Sequence, residues 1–213
     1  ASYPELESKN YHDKYESLPI QGDYDLMLRQ LLRVAKVIRN ALVHNHSSIV
    51  ISDGQISVDY KRGKYHFCLN MSRDALNDFH SAIVMYVKGD MGRGSYFLGI
   101  MRSMYANILA GITLFNDDLE SAFDQPSAGI KMKRHVRQIV LHPSYETCGE
   151  ALRFPGAARQ IAEREGMDLY FVRSGEEFLV PREALDEHLS ITEHDLITSW
   201  KREGLYPPVP VKV

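Results

Sequence analysis

Thr147-Cys148-Gly149-Glu150-Ala151-Leu152-Arg153-Phe154 sets a carboxylate and a guanidinium three positions apart in a run that is otherwise small and apolar. Apolar segments flank it, Ile139-Val140-Leu141 before and Ala157-Ala158-Arg159-Gln160-Ile161-Ala162 after. On a helix, residues three apart share a face, so Glu150 and Arg153 stand side by side while Cys148, Ala151, Leu152 and Phe154 pack inward. Charges beside a core must be paired or at work, because a lone buried charge is costly. The pair is then either a salt bridge that steadies a helix or an acid/base and electrostatic pair on the floor of a cleft. Pro155-Gly156, directly after Phe154, predicts a kink in a helix over 144–165.

Downstream, Leu169-Tyr170-Phe171-Val172 and Glu177-Phe178-Leu179-Val180 read as two strands joined across Arg173-Ser174-Gly175. A short helix is expected from Pro181 to Ile191, and another opens at Thr192 and carries Leu196, Ile197 and the sole tryptophan, Trp200. The tail Pro207-Pro208-Val209-Pro210 reads as extended. Upstream, 130–142 reads as a helix with a basic face (Lys131, Lys133, Arg134, Arg137). Met101–Leu114 is apolar with Tyr105, Ile108, Leu109 and Ile112 at helical spacing, and Asn116-Asp117-Asp118 is expected to cap a short helix through Phe123.

The first hundred residues alternate differently. Residues 1–20 form a polar, tyrosine-rich arm. Tyr24, Leu28, Leu31, Leu32, Ala35, Val37, Ile38, Ala41 and Leu42 fit an amphipathic helix over 23–44, with Asp23 as N-cap and Arg29, Arg33, Lys36 and Arg39 on a solvated face. From 48 onward come short β-like runs: Ile49–Ile51, Ile56–Tyr60, Tyr65–Leu69, Ala82–Val87 and Ser95–Ile100. Ser52-Asp53-Gly54, Lys61-Arg62-Gly63-Lys64 and the glycine-rich 89–94 stretch serve as turns. The expectation is one α+β domain over 1–213: an arm (1–22), a helix with a β-rich half (23–100), and a mainly helical half (101–213) with a short hairpin near 168–180.

Composition narrows the function classes. The 213 residues include 44% hydrophobic and 25% charged positions, ordinary for a globular protein. A net charge of -3 gives no global basic field for coating nucleic acid, though a local patch remains open. No stretch reaches the length of a membrane span, and no signal peptide is visible. Cys68 and Cys148 are one disulfide or two buried thiols, the latter favoured by their apolar surroundings. His44 and His46 are close, but no Cys/His/Asp group shows metal-ligand spacing along the chain. Gly89–Gly94 lacks the following Lys-Ser/Thr and helix of a phosphate loop, and no nucleophile-elbow or kinase signature occurs.

Glu150-Ala151-Leu152-Arg153-Phe154 resembles the active-site helix of ribosome-inactivating proteins, the family of ricin A chain and Shiga toxin A subunit. Other islands follow in that family's order. Tyr86-Val87-Lys88-Gly89 with Gly94-Ser95-Tyr96-Phe97 looks like the strand bearing its first adenine-stacking tyrosine. Tyr105 with Leu109-Ala110-Gly111 looks like the second, with Tyr96 as a rival. Ile112–Ala122 is similar to the stretch that follows in plant members, and Trp200 looks like the tryptophan backing the site. Departures are a short distance from Tyr86 to Tyr105, an insertion around 166–185, and Pro155-Gly156 inside the helix.

The resemblance implies a mixed sheet packed on helices, a helical second half with a central active-site helix, and an rRNA N-glycosylase. Such an enzyme is a secreted toxin that removes one adenine from large-subunit ribosomal RNA. It implies no metal or nucleotide cofactor, with the ribosome as partner. Adenine loss builds positive charge on the sugar, as in other glycoside chemistry. Glu150 would stabilise that charge and Arg153 would neutralise the leaving base. The base must be splayed out and held between flat rings, here Tyr86 and Tyr105, each stacking contact worth about 1–3 kcal/mol. Trp200 would wall the pocket. The alternative is an inactive relative that binds RNA or a protein on the same fold, and a thiol hydrolase built on Cys148 and a histidine is a third reading.

Overall fold

Two dipeptides with left-handed backbone, Asp53-Gly54 and Ser174-Gly175, each close a β-hairpin. Their φ values are +49° and +73°, and +54° and +81°. Positive φ at both central residues marks the type I′ turn, whose twist matches that of paired strands. A computed structural model of the chain describes residues 8–87, 94–119, 121–132, 137–162, 166–202 and 204, without the side chains of 85–87 and 162. The class is α+β, in two units: Ala1–Val87 with Met104–Ser127, and Lys88–Ser103 with Ala128–Val213.

Unit 1 opens with α1 (Tyr11–Glu16) and α2 (Asp23–His44). The arm expected over the first residues is thus helical in part, and Tyr15 is buried. Gly22, not Asp23, occupies the N-cap of α2, and the Asp23 carboxylate instead accepts from the Ser127 amide. Strands β1 (Ile49–Ser52), β2 (Gln55–Arg62) and β3 (Tyr65–Ser72) follow as a meander. Helix α3 (Arg73–Val87), the last turns of α4 (Ser95–Ala110) and strand β4 (Ile112–Asn116) complete the unit. The sheet order is β1-β2-β3-β4, antiparallel throughout. Alternation sends Val58, Tyr60, Phe67, Leu69 and Met71 into the core, which Met27, Leu28, Leu31, Val34 and Ala41 of α2 share. Gly111 leads into β4 where a Cβ would meet the Asn70 carbonyl oxygen at 2.3 Å, so the close approach requires glycine.

Two expected strands are helices. Ala82–Val87 closes α3, in which Asp78, Phe79 and Ala82 are buried at helical spacing. Ser95–Ile100 opens α4, whose buried residues Phe97, Ile100, Met101, Met104, Tyr105 and Ile108 keep the helical period over eleven positions. A six-residue apolar run has no period of its own, and the longer pattern around it decides. The glycine-rich turn at 89–93 lies outside the described residues. The short helix expected after Asn116 is a turn followed by irregular chain, apart from residue 120, which is not described.

Unit 2 holds two three-stranded sheets. One, β5-β8-β9, pairs β5 (Gln138–Leu141) parallel to β8 (Met167–Arg173), and β8 antiparallel to β9 (Glu176–Pro181). The β8–β9 hairpin is the one expected. The basic helix expected over 130–142 is not formed where described: β5 occupies its end, and 133–136 lie outside the described residues. Between β5 and β8 come β6 (Glu146–Cys148), β7 (Ala151–Arg153) and the short α5 (Ala158–Ala162), followed later by β10 (Ser190–Thr192) and α6 (Glu193–Ser199). The second sheet runs β10-β7-β6. Thr192 caps α6, its side chain accepting from the Asp195 amide at 3.0 Å. Leu152, Phe154, Leu169, Phe171, Phe178, Val180, Leu196 and Trp200 belong to one buried cluster.

A polar knot crosses this unit. Asp168 is fully buried, accepts from Arg137 Nε at 2.7 Å and from the Tyr96 hydroxyl at 2.6 Å, and Arg137 also reaches Glu183 at 2.6 and 3.0 Å. Burial outweighs the Arg137 charge and raises the Asp168 carboxyl from 3.8 to about 6. A raised acid binds its proton more tightly when folded, so its stabilising contribution is complete below the unfolded value and lost as pH rises through about 6. Asp168→Asn should therefore flatten a fall in unit 2 stability of up to about 3 kcal/mol between pH 4 and pH 6. Denaturant unfolding followed by Trp200 fluorescence, wild type against variant across that range, measures it. Parallel curves would contradict the assignment.

Candidate functional site

Gly149 has φ +63°, and with Glu150 it forms the two-residue turn between β6 and β7, where Cys148 faces Ala151. The active-site helix expected here is thus a β-hairpin. A left-handed glycine at its centre and Pro155 just beyond leave no uninterrupted stretch long enough to nucleate a helix. Glu150 is exposed at the turn, and its carbonyl accepts from the Glu193 amide at 2.8 Å. Arg153, also exposed, sits in register between Glu146 of β6 and Ser190 of β10. Neither side chain makes a hydrogen bond or ion pair among the described residues.

The aromatic residues go elsewhere. Trp200 is 4% exposed in the core of unit 2. Tyr105 is 2% exposed in the core of unit 1, and its hydroxyl donates to the Asp124 carbonyl at 2.7 Å. Burial and the nearby Asp124 raise its pKa. Rings enclosed to this degree present no face to a base. Tyr86 lies in the last turn of α3, with its side chain outside the described residues. Tyr96, the rival ring, is bonded to Asp168. Glu150, Arg153 and Trp200 thus belong to unit 2, Tyr86 and Tyr105 to unit 1. Cys68 and Cys148 are free thiols, as favoured over a disulfide, but neither is buried: Cys148 is exposed and Cys68 half-buried.

A different constellation forms on the outer face of the unit 1 sheet. In the β2–β3 hairpin, Asp59 stands opposite Cys68 and Lys61 opposite His66. Alternation carries all four to the face away from the core. His66 Nε2 lies 2.7 Å from Asp59 Oδ1 and 3.2 Å from Cys68 Sγ, and the three atoms all fall within 4.8 Å of one another. The hydrogen bond from His66 lowers the Asp59 pKa, while desolvation and the Asp59 charge push the Cys68 thiol up. Beside the trio runs an open cavity of about 580 Å³, bordered by Asp59, Cys68, Lys61, Ser57, Asn70 and Thr113 among others.

This arrangement is not a thiol triad. In a nucleophile–imidazole–carboxylate relay the two partners use different ring nitrogens, so that one accepts while the other is held. Here both meet Nε2. What the trio offers is one soft, one borderline and one hard donor within 4.8 Å of one another, a set suited to zinc-class cations.

The cluster was written in the sequence but not read from it. With Lys61-Arg62-Gly63-Lys64 taken as the turn, the register stays open. The structure confines the turn to Gly63-Lys64, with φ +60° at Gly63, and pairs Arg62 with Tyr65. That pairing alone places Asp59 against Cys68, and alternation adds His66.

No family model, curated protein or solved structure matches the chain in comparisons with each. The two thiols should differ in reactivity. Exposed Cys148 is expected to react with a disulfide reagent at least about tenfold faster than Cys68, whose thiolate is disfavoured. Cys148→Ser should remove the fast phase of a stopped-flow thiol titration; loss of the slow phase instead would overturn the environments described.

Proposed function

We propose that the protein binds a zinc-class divalent cation through Asp59, His66 and Cys68. The convergence of three chemically different ligand atoms within 4.8 Å supports this reading. Tetrahedral zinc with bonds of about 2.0–2.3 Å holds its ligands roughly 3.3–3.6 Å apart. The Nε2–Sγ spacing of 3.2 Å is close to that, and the Nε2–Oδ1 pair at 2.7 Å would have to open by roughly 0.6 Å or more, which a turn of the exposed Asp59 side chain supplies. Adjacent antiparallel strands hold the donors, so little order is left to gain when metal arrives. Three protein ligands leave one coordination position open, the count of catalytic rather than structural zinc sites.

Cobalt(II) reports on such a site, because a cysteine thiolate gives it a ligand-to-metal charge-transfer band in the near ultraviolet. The protein should take up one Co²⁺ with that band and release it to Zn²⁺. Cys68→Ser should abolish the band and lower affinity at least about 100-fold, since even outer-shell changes cost 10–100-fold. Cys148→Ser should change neither. A band that follows Cys148, or none, would refute the proposal.

Glu150 and Arg153 support a second reading, since both are exposed and uncommitted on the β6–β7 hairpin. In it the protein is the secreted rRNA N-glycosylase that the sequence resembles, working without Tyr105 and Trp200 as pocket rings. Ribosomes treated with the protein should then release adenine and acquire an aniline-sensitive site. Glu150→Gln should slow release by about 100-fold or more, the scale on which a transition-state charge contact acts. Intact rRNA after treatment with folded protein excludes it.

A further inference from the structure

We infer that the open position of the Asp59–His66–Cys68 site receives a phosphate-class oxyanion, so that its physiological ligand is a small phosphorylated molecule lying in the adjoining trough. This inference rests on the metal reading above. A divalent cation bound by a thiolate, a carboxylate and a neutral imidazole forms a unit of zero net charge. Lys61 stands opposite His66 in the hairpin register and its charge bears on both Asp59 and Cys68. It makes no hydrogen bond or ion pair among the described residues. The loaded site therefore carries a surplus positive charge on the same face of the sheet as the three ligands.

The wall of the trough points the same way. Among the described residues Asp59 is the one carboxylate bordering it, and the metal would consume it. Besides Lys61 and the metal ligands, its polar side chains carry hydroxyls and amides. The Ser57 hydroxyl donates to Asn70 Oδ1 at 3.2 Å, which leaves the Asn70 amide NH₂ as the free, donating end. Asn70 and Ser57 face one another across β2 and β3, two positions along from the Asp59–Cys68 pair. An oxyanion on the metal thus finds an ammonium on one side and an amide donor on the other. Such charge-assisted donors favour anionic oxygen over neutral carbonyl. Val50, exposed on β1, supplies an apolar border for the rest of the molecule, and about 580 Å³ lies within the range of small-ligand sites.

The test uses the Co²⁺-loaded full chain titrated with inorganic phosphate, followed through the visible d–d bands, with acetate as the comparison anion. Phosphate is expected to shift the bands saturably and to bind more tightly than acetate. Lys61→Met separates the two levels of the argument because its effects have opposite sign. It should weaken phosphate about tenfold by removing a charge-assisted contact, while Co²⁺ affinity holds or tightens, since Lys61 repels the cation. A normal Co²⁺ spectrum that phosphate does not perturb overturns the inference and leaves the metal reading standing. So does acetate binding as tightly as phosphate, or Lys61→Met without effect on phosphate. Failure of Co²⁺ to bind at all overturns both.

Discussion

Arg33 is the constraint on which unit 1 depends. It sits midway along α2 with 1% of its side chain exposed, and a bare guanidinium there would be prohibitive. Asp117 takes it in a fork, Nε to one carboxylate oxygen and a terminal nitrogen to the other, both at 2.7 Å, and the Ser121 carbonyl takes a further bond at 2.8 Å. The guanidinium carbon also lies 4.7 Å and 4.8 Å from the ring centroids of Phe115 and Phe123. Removing one partner from a buried pair of this kind costs about 3–5 kcal/mol, largely through the charge left behind. Asp117 immediately follows β4, so the long helix is tied to the end of an edge strand and to the irregular chain beyond it.

That tie reaches the candidate site through register. β4 pairs Asn116 with His66 and Leu114 with Cys68, and the register shifts between Cys68 and Leu69. His66 and Cys68 thus lie on a strand flanked on both sides, by β2 and by β4. Their positions are set by two ladders and by the core residues that alternate with them, Phe67 at 2% and Leu69 at 2% exposure. The same alternation that buries one face delivers the ligands to the other. A one-residue slip would exchange the faces, so the packing that stabilises the sheet also specifies the site.

How much of this was legible depended on whether a signal was local. The hairpins were, because Asp-Gly and Ser-Gly turns flanked by alternating or apolar runs carry their own geometry. The long α2 was, because its period persists over many turns. Arg33 was not: on the helical pattern it belongs with Arg29 and Lys36, and only Asp117, 84 positions later, explains its burial. The stretch 147–154 misled for a related reason. Glu150 and Arg153 suit a helix face, but Gly149 in the left-handed region reverses the chain between them and Cys148. A glycine followed by Glu-Ala-Leu-Arg was read for its side chains, when its backbone freedom held the information. Tyr105 and Trp200 show the other limit. An aromatic residue on an apolar segment looks the same in sequence whether it faces a cleft or the core.

The contrast between the two candidate sites comes down to convergence. Glu150 and Arg153 are exposed on their hairpin, and neither side chain makes a hydrogen bond or ion pair among the described residues. The sheet trio is different. A carboxylate only accepts, so the 2.7 Å contact places the proton of His66 on Nε2. The Asp59 carboxylate also takes the Cys68 thiol, so it anchors both neighbours, while Nε2 and Sγ stand 3.2 Å apart. A cation among the three would replace these bonds, since the nitrogen lone pair, the thiolate and the carboxylate would all then face positive charge. Both strands of the hairpin are paired over Asp59, His66 and Cys68, so the backbone holds the three donors in place. Three potential ligands of different hardness are thereby held at one place on the sheet, and that convergence sets this site apart from the β6–β7 hairpin.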